Sequence, residues 1–147
     1  MANQKKLKLS PFKFKPFSDK QMKVLNWWTE GSPVNDAFML IADGAIRSGK
    51  TVSMSLSFVL FVMNTFNQQN AAMAGKSVGS FRRNVLVTLK QMLMALDYEI
   101  IEHRSENYLE IIKGDVTNYF YVFGGRDESS QDLIQGRLCR VFGKPNI

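Results

Sequence analysis

The sequence has almost none of the residues that staple a fold or ligate a metal. Its 147 positions hold one cysteine, Cys139, and one histidine, His103. A disulfide framework and a cysteine-rich zinc site are therefore excluded, as is a metal cluster built on histidines. A reducing compartment is the default for such a chain. Long apolar runs are also missing. The run Phe58 to Met63, which no other apolar run exceeds, falls well short of the ~18 residues that a membrane span needs. The lysine-rich start is not followed by the apolar core of a signal peptide. No internal repeat and no linker composition is visible.

What is present fits one compact domain. The hydrophobic fraction is 45% and the charged fraction 22%, ordinary values for a globular chain. The net charge of +6 favours polyanionic partners only weakly. The lysines are unevenly placed, with Lys5, Lys6, Lys8, Lys13, Lys15, Lys20 and Lys23 all before residue 24. A solvated basic arm over residues 1–17 is one reading, and an arm that contacts nucleic acid is the other. Pro11 and Pro16 keep that arm extended.

Ser18, with Gln21 three residues on, has the form of a capping box. Met22, Leu25 and Trp28 follow at helical spacing, and Gly31, Ser32 and Pro33 end the helix. Ala37 to Ala42 is a short apolar run that suits a buried strand of a parallel sheet. Thr51 to Phe66 carries two periods, one of two through its alternating serines and one of 3.6 through Val52, Leu56, Val59, Leu60 and Met63. Its length decides for a helix. A strand is expected over 71–75, and a long helix capped by Ser77 runs to about Leu96. Three strands are expected over 98–102, 108–112 and 119–123. A short helix over 128–135 and a strand over 138–142 complete an α/β pattern with a local meander.

The informative stretch is Gly44-Ala45-Ile46-Arg47-Ser48-Gly49-Lys50-Thr51, which fits G-x-x-x-x-G-K-[ST] at every fixed position. A chance match in a chain this long is on the order of one in a few hundred. The motif lies between a strand candidate and a helix, as a phosphate-binding loop requires. Gly44 and Gly49 let the backbone turn tightly and approach phosphates. Amides around 47–51 and the helix N-terminus would face the phosphate oxygens of ATP. Lys50 would meet the β- and γ-phosphates, and the Thr51 hydroxyl would ligate Mg²⁺. Arg47 is either a solvent-facing side chain or a guanidinium that stabilises transferring charge. Gln21 is either a helix cap or an amide that reads the adenine edge. Phe17, Trp27 and Trp28 read as core rather than as base-stacking residues.

A P-loop enzyme also needs an acidic residue on a neighbouring strand. No apolar strand ending in Asp-Glu is found. Asp43 precedes the loop, and Asp127, Glu128 and Asp132 surround a glycine turn. The candidate strand at 138–142 is flanked by Arg137 and holds Arg140, without an acid.

Several segments together resemble the ATPase domain of the large terminase subunit of tailed bacteriophages. They are KQMKVLNWW at 20–28, DGAIRSGKTVSMSLSFVLF at 43–61, MAGKSVGSFRRNV at 73–85, RSENYLEI at 104–111 and FGGRDESSQDLIQG at 123–136. The resemblance implies a P-loop NTPase core, a mostly parallel sheet flanked by helices, over 18–147. It implies an ATP-driven motor that packs viral DNA into a procapsid in the cytoplasm of the bacterial host. Its partners would be double-stranded viral DNA, the portal protein and the small terminase subunit, with a homo-oligomeric ring only in the intact motor and no membrane. Lys50 and Thr51 match the phosphate and magnesium residues, Arg47 the loop arginine and Gln21 the adenine-recognition glutamine. Arg82 and Arg83 match a basic pair that opens a helix, for which a solvated face is the plainer reading.

The sequence departs from the family after Gln135-Gly136. There the family continues into a hydrophobic strand closing in Asp-Glu, and this chain reads RLCRVFGKPNI. The expectation is a truncated large subunit, incomplete at the C-terminus and without the nuclease domain, with negligible turnover. Three other readings stand beside it. One is another P-loop ATPase such as a helicase fragment. The second is a non-catalytic DNA- or partner-binding fragment that uses the basic arm. The third is a remnant without stable structure.

Overall fold

A computed structural model describes residues 12–45 and 49–125 of the chain. The expectations for Ile46, Arg47 and Ser48, for the first eleven residues, and for the helix and strand after 125 lie outside the described residues. The elements run α1 (Asp19–Leu25), α2 (Lys50–Thr65), β1 (Asn70–Gly75), α3 (Val78–Phe81), a π-helical turn (Arg82–Leu86), α4 (Val87–Ala95), β2 (Glu99–His103), β3 (Tyr108–Lys113) and β4 (Val116–Gly124).

The expected capping box forms. The Ser18 hydroxyl accepts from the Gln21 amide, and the Gln21 side chain accepts from the Ser18 amide. The helix it starts is shorter than expected. It ends at Leu25, and the tryptophans that follow it pack on α2, with Trp27 and Trp28 ring centroids 5.3 and 6.2 Å from Phe61. They are half-buried and pack against the core.

α2 is a helix despite its alternating serines, because the hydroxyls are absorbed locally. Ser53 Oγ donates to the Gly49 carbonyl at 3.0 Å, and Ser55 Oγ to that of Thr51 at 2.6 Å. This back-bonding to the preceding turn leaves no polar edge for a sheet to satisfy. Ser57 instead reaches across to the Val24 carbonyl at 2.6 Å. That oxygen belongs to the last turn of α1, where helix carbonyls lack partners of their own. Leu56, Val59, Val62 and Met63 are buried beside it.

The four strands form one sheet in the order β1-β4-β3-β2. β1 pairs with β4 in parallel, while β4 with β3 and β3 with β2 are antiparallel. The described sheet is thus mostly antiparallel, which corrects the expectation of a mostly parallel one. The predicted meander supplies two of its three ladders, since tight turns join antiparallel neighbours. Asn107 (φ 56°) and Gly114 (φ 59°) make those turns possible.

The second correction concerns residues 37–42. They form no strand, and Phe38, Met39 and Ile41 are 76%, 58% and 79% exposed. An apolar run becomes a buried strand only when neighbours complete its hydrogen bonds. Among the described residues nothing pairs with it. The expected long helix from Ser77 is present as three consecutive segments, α3, the π turn and α4. Leu89, Met92 and Leu93 of α4 are buried in the same core as Leu109, Ile111, Phe120 and Val122 of the sheet.

Asn118 ties the sheet to α2. It is fully buried, donates Nδ2–H to the Phe66 carbonyl at 2.9 Å and accepts from the Gln69 amide at 3.0 Å. Both partners lie in the connection between α2 and β1. A polar side chain at this depth is tolerated because it completes backbone groups that no ladder reaches.

Candidate functional site

The site is built where α1 meets the start of α2. Gly49 is the N-cap of α2 and adopts a left-handed conformation, φ 78° and ψ 12°. That conformation costs any residue with a Cβ about 1–2 kcal/mol, so the motif's second glycine is required by backbone geometry. No side chain caps the helix, and its first turn carries no acidic residue. The 16-residue helix therefore presents its positive end without a carboxylate beside it.

Lys50 is the first helical residue. Its ammonium turns back over the loop and donates to the carbonyls of Gly44 and of Ala45, the latter at 2.6 Å. Gly44 in turn donates its amide to Asp43 Oδ1 at 2.8 Å. Asp43 thus braces the loop's first residue and stands at its entrance. Thr51 is exposed in the first turn of α2. It borders a shallow hollow shared with Ser55 and with Asn84, Val85 and Thr88 from the π turn and α4.

Gln21 also arrives here. Its Oε1 accepts from the Ser18 amide at 2.9 Å, which is the capping role. Its Nε2 lies against the α-carbon of Gly49, where an added Cβ would collide with it and would stand 3.7 Å from Cδ. The structure therefore brings Gln21, Gly49, Lys50 and Thr51 to one place, with Gly44 and Ala45 reached by the lysine. Arg47, Ile46 and Ser48 lie outside the described residues.

The basic pair at 82–83 is split. Arg82 is not a solvated face. It donates through Nη2 to the Arg104 carbonyl at 3.0 Å and to Asn107 Oδ1 at 2.9 Å. Arg83 is exposed, with a guanidinium nitrogen 3.6 Å from the place a Cβ on Gly79 would take. Arg82 also faces Glu102, whose carboxylate has Lys90 Nζ at 2.8 Å, Arg104 Nε at 3.4 Å and Arg82 Nε at 3.6 Å. Burial pushes the Glu102 carboxyl upward, but the Lys90 hydrogen bond and the charges of Lys90, Arg104 and Arg82 outweigh it and hold it below its ordinary value. Sequence reading missed this cluster because Lys90 and Glu102 are twelve positions apart, with no motif to join them. Among the described residues no group of three His, Cys, Asp or Glu side chains could hold a metal ion. No described helix is long and apolar enough to cross a membrane.

No protein-family model matches the chain, and no curated protein does. Solved structures do. The chain is similar to the large terminase of a thermophilic bacteriophage, at 57% identity and TM-score 0.80 over 83% of this chain and 30% of that one. The same phage protein solved in complex with ADP matches at 56% identity and TM-score 0.76, over 79% of this chain and 29% of that one. Its complex with ATP-γ-S matches at 44% identity and TM-score 0.77, over 88% of this chain and 36% of that one. The chain thus spans between 29% and 36% of the length of these relatives. At this identity over most of its length, the chain belongs to the large terminase family.

Proposed function

We propose that this chain is the nucleotide-binding part of a DNA-packaging motor, with residues 44–51 as the loop that holds the triphosphate of ATP. One observation carries the reading. The glycine-lysine pair of the motif sits at the uncapped start of α2, with the ammonium of Lys50 turned over the loop. A lysine that bonds its own loop carbonyls is held where an incoming phosphate would offer it a stronger, charge-assisted partner. The relatives solved with ADP and ATP-γ-S support the choice of ligand.

In this reading Lys50 meets the β- and γ-phosphates, and the amides of the α2 start face phosphate oxygens. The Thr51 hydroxyl holds Mg²⁺, which would neutralise phosphate charge. The exposure of Thr51 in the first turn of α2 leaves its hydroxyl open to an ion that keeps several waters and phosphate ligands. Arg47 stabilises charge on the γ-phosphate, and Gln21 joins the site from α1. The wider assignments follow from family membership: a P-loop NTPase core, double-stranded viral DNA as cargo, the portal protein and small terminase subunit as partners, and the bacterial cytoplasm as location. Residues 1–17 form the basic arm, and 18–147 part of the ATPase domain.

The test is a magnesium-dependent ATP titration read by thermal shift. At ligand a hundredfold above Kd, a single site stabilises the fold by about 2.7 kcal/mol. The shift is expected in the parent chain and absent from Lys50→Ala. An equal shift in both would refute the assignment of the loop.

A further inference from the structure

We propose that the cations gathered around Glu102 form a docking surface for the phosphate backbone of duplex DNA, with Arg83 and Arg104 as its contacting side chains. The inference rests on DNA as the cargo and makes no use of residues 44–51.

An excess of charge carries it. Lys90 Nζ, Arg104 Nε and Arg82 Nε stand 2.8, 3.4 and 3.6 Å from one carboxylate. Three cations against one acid leave a net charge of +2. Arg83, exposed on the same π turn as Arg82, adds a further positive charge. A bridge built for stability alone needs one cation per carboxylate, because further cations repel one another. The other acids of the β2–β3 hairpin do not restore the balance. Successive residues of a strand point to opposite faces of the sheet. Glu102 faces α4, where it meets Lys90. Glu99 and His103 point to the opposite face, and His103 has Glu110 at 3.4 Å and Glu106 at 3.9 Å. The hairpin thereby sorts its charges, with the cations and a single acid on the helix side.

The turn that carries Arg104 is held in advance. Arg82 is committed to it, since its Nη2 donates to the Arg104 carbonyl at 3.0 Å and to Asn107 Oδ1 at 2.9 Å. The Asn107 carbonyl in turn accepts from the Val122 amide at 2.7 Å. The turn is thus pinned from the π turn on one side and from β4 on the other. The Arg104 side chain nevertheless stays 75% exposed. Glu102 holds its Nε, and among the described residues no hydrogen bond takes its two terminal nitrogens. A guanidinium anchored at Nε with both Nη groups outward is the fork that bonds phosphate oxygens in pairs. Fixing the turn beforehand lowers the ordering cost of that contact. Arg82 and Lys90 add attraction from behind, as positioning residues. A cargo that moves past the protein needs contacts independent of sequence, and arginine to phosphate supplies them.

The experiment measures binding of the full chain to two short duplexes of unrelated sequence, by fluorescence anisotropy over a range of salt concentrations. Each phosphate contact contributes about 0.9 to the salt slope. Arg83→Ala and Arg104→Ala are therefore each expected to flatten the slope by about one and to weaken binding about eightfold at about 0.1 M salt, equally on both duplexes. Lys23→Ala removes one exposed charge from α1 and is expected to stay within about twofold of the parent. Should either alanine variant unfold, Arg83→Gln and Arg104→Gln, which keep a polar stem and remove the charge, decide in the same way. Parent-level affinity and slope in both arginine variants would overturn the proposal. The same result with a loss in the Lys5→Ala, Lys6→Ala, Lys8→Ala triple variant would overturn it in favour of the basic arm and leave DNA as the cargo. Unequal losses on the two duplexes would overturn the contact to the backbone. Poly-glutamate bound as tightly as the duplex, and weakened by the same substitutions, would overturn it in favour of an acidic protein partner. A parent chain with no affinity for either duplex at low salt would remove the cargo reading for this chain, and the proposal with it.

Discussion

Substituting Gly49 with alanine tests the construction of the loop independently of any ligand. Two costs add. A Cβ in the left-handed region costs about 1–2 kcal/mol. The same Cβ would also collide with Gln21 Nε2, which is the far end of a flexible side chain and can swing away. Swinging away removes Oε1 from the Ser18 amide, and losing that half of the capping box is worth up to about 1 kcal/mol. Gly49→Ala is therefore expected to cost about 2–3 kcal/mol in urea unfolding, a drop of about 5–10 °C in Tm for a chain of this size. Gly114 separates the two parts. It has a similar φ of 59° and no atom within 4 Å of an added Cβ, so Gly114→Ala reports the backbone cost by itself. The decisive measurement repeats Gly49→Ala in a Gln21→Ala background. There the Gln21 half of the capping box is already lost, and the cost should fall by up to about 1 kcal/mol towards that of Gly114→Ala. An unchanged cost in the two backgrounds would show that Gln21 and Gly49 do not interact.

Two further predictions concern the frame that carries the site. Asn118→Ala leaves the Gln69 amide and the Phe66 carbonyl without their buried partner, which costs about 2–6 kcal/mol at about 1–3 kcal/mol for each stranded group. Urea unfolding should show the loss in the midpoint with an unchanged m-value, and a cost within about 0.5 kcal/mol, as is typical of surface substitutions, would contradict the burial of this side chain. Glu102 has a folded value below the ordinary 4.5, so its contribution to stability is full above that value and is lost as pH falls through the folded one. Glu102→Gln should flatten the acid limb of a Tm-against-pH curve below about pH 4.5 and leave Arg82 with a weaker partner; identical acid limbs would refute the three-cation account.

Much of the fold is legible because its signals are local. Ser18 and Gln21 define a cap by spacing alone, and the structure forms that cap. β2, β3 and β4 are marked by turn residues at Asn107 and Gly114, both of which take positive φ. The run at 37–42 misleads for a physical reason. Its composition is that of a buried strand, yet a strand is a property of a pair, and no described strand lies beside it. Local apolarity measures readiness to be buried, and burial itself depends on neighbours distant in sequence. The same limit applies to sheet type, since the parallel β1–β4 ladder joins residues about fifty positions apart.

The candidate site divides along the same line. Residue types and spacing within 44–51 point to a phosphate loop because each role there is filled by near neighbours in sequence. Gln21 stands 28 positions from Gly49, and from the sequence its cap and its base-reading role compete as alternatives. The structure gives it the cap and a second contact together, since the amide has two ends and the Ser57 bond to the Val24 carbonyl sets where α1 lies along α2. That serine belongs to the alternating set that makes α2 resemble a strand. The feature that blurs the secondary structure is thus the one that places Gln21 on the loop. Ser57→Ala should then loosen α1 from α2, and urea unfolding should read this as a loss of about 1 kcal/mol. Parent-level stability in that variant would show that the Ser57 bond does not set where α1 lies.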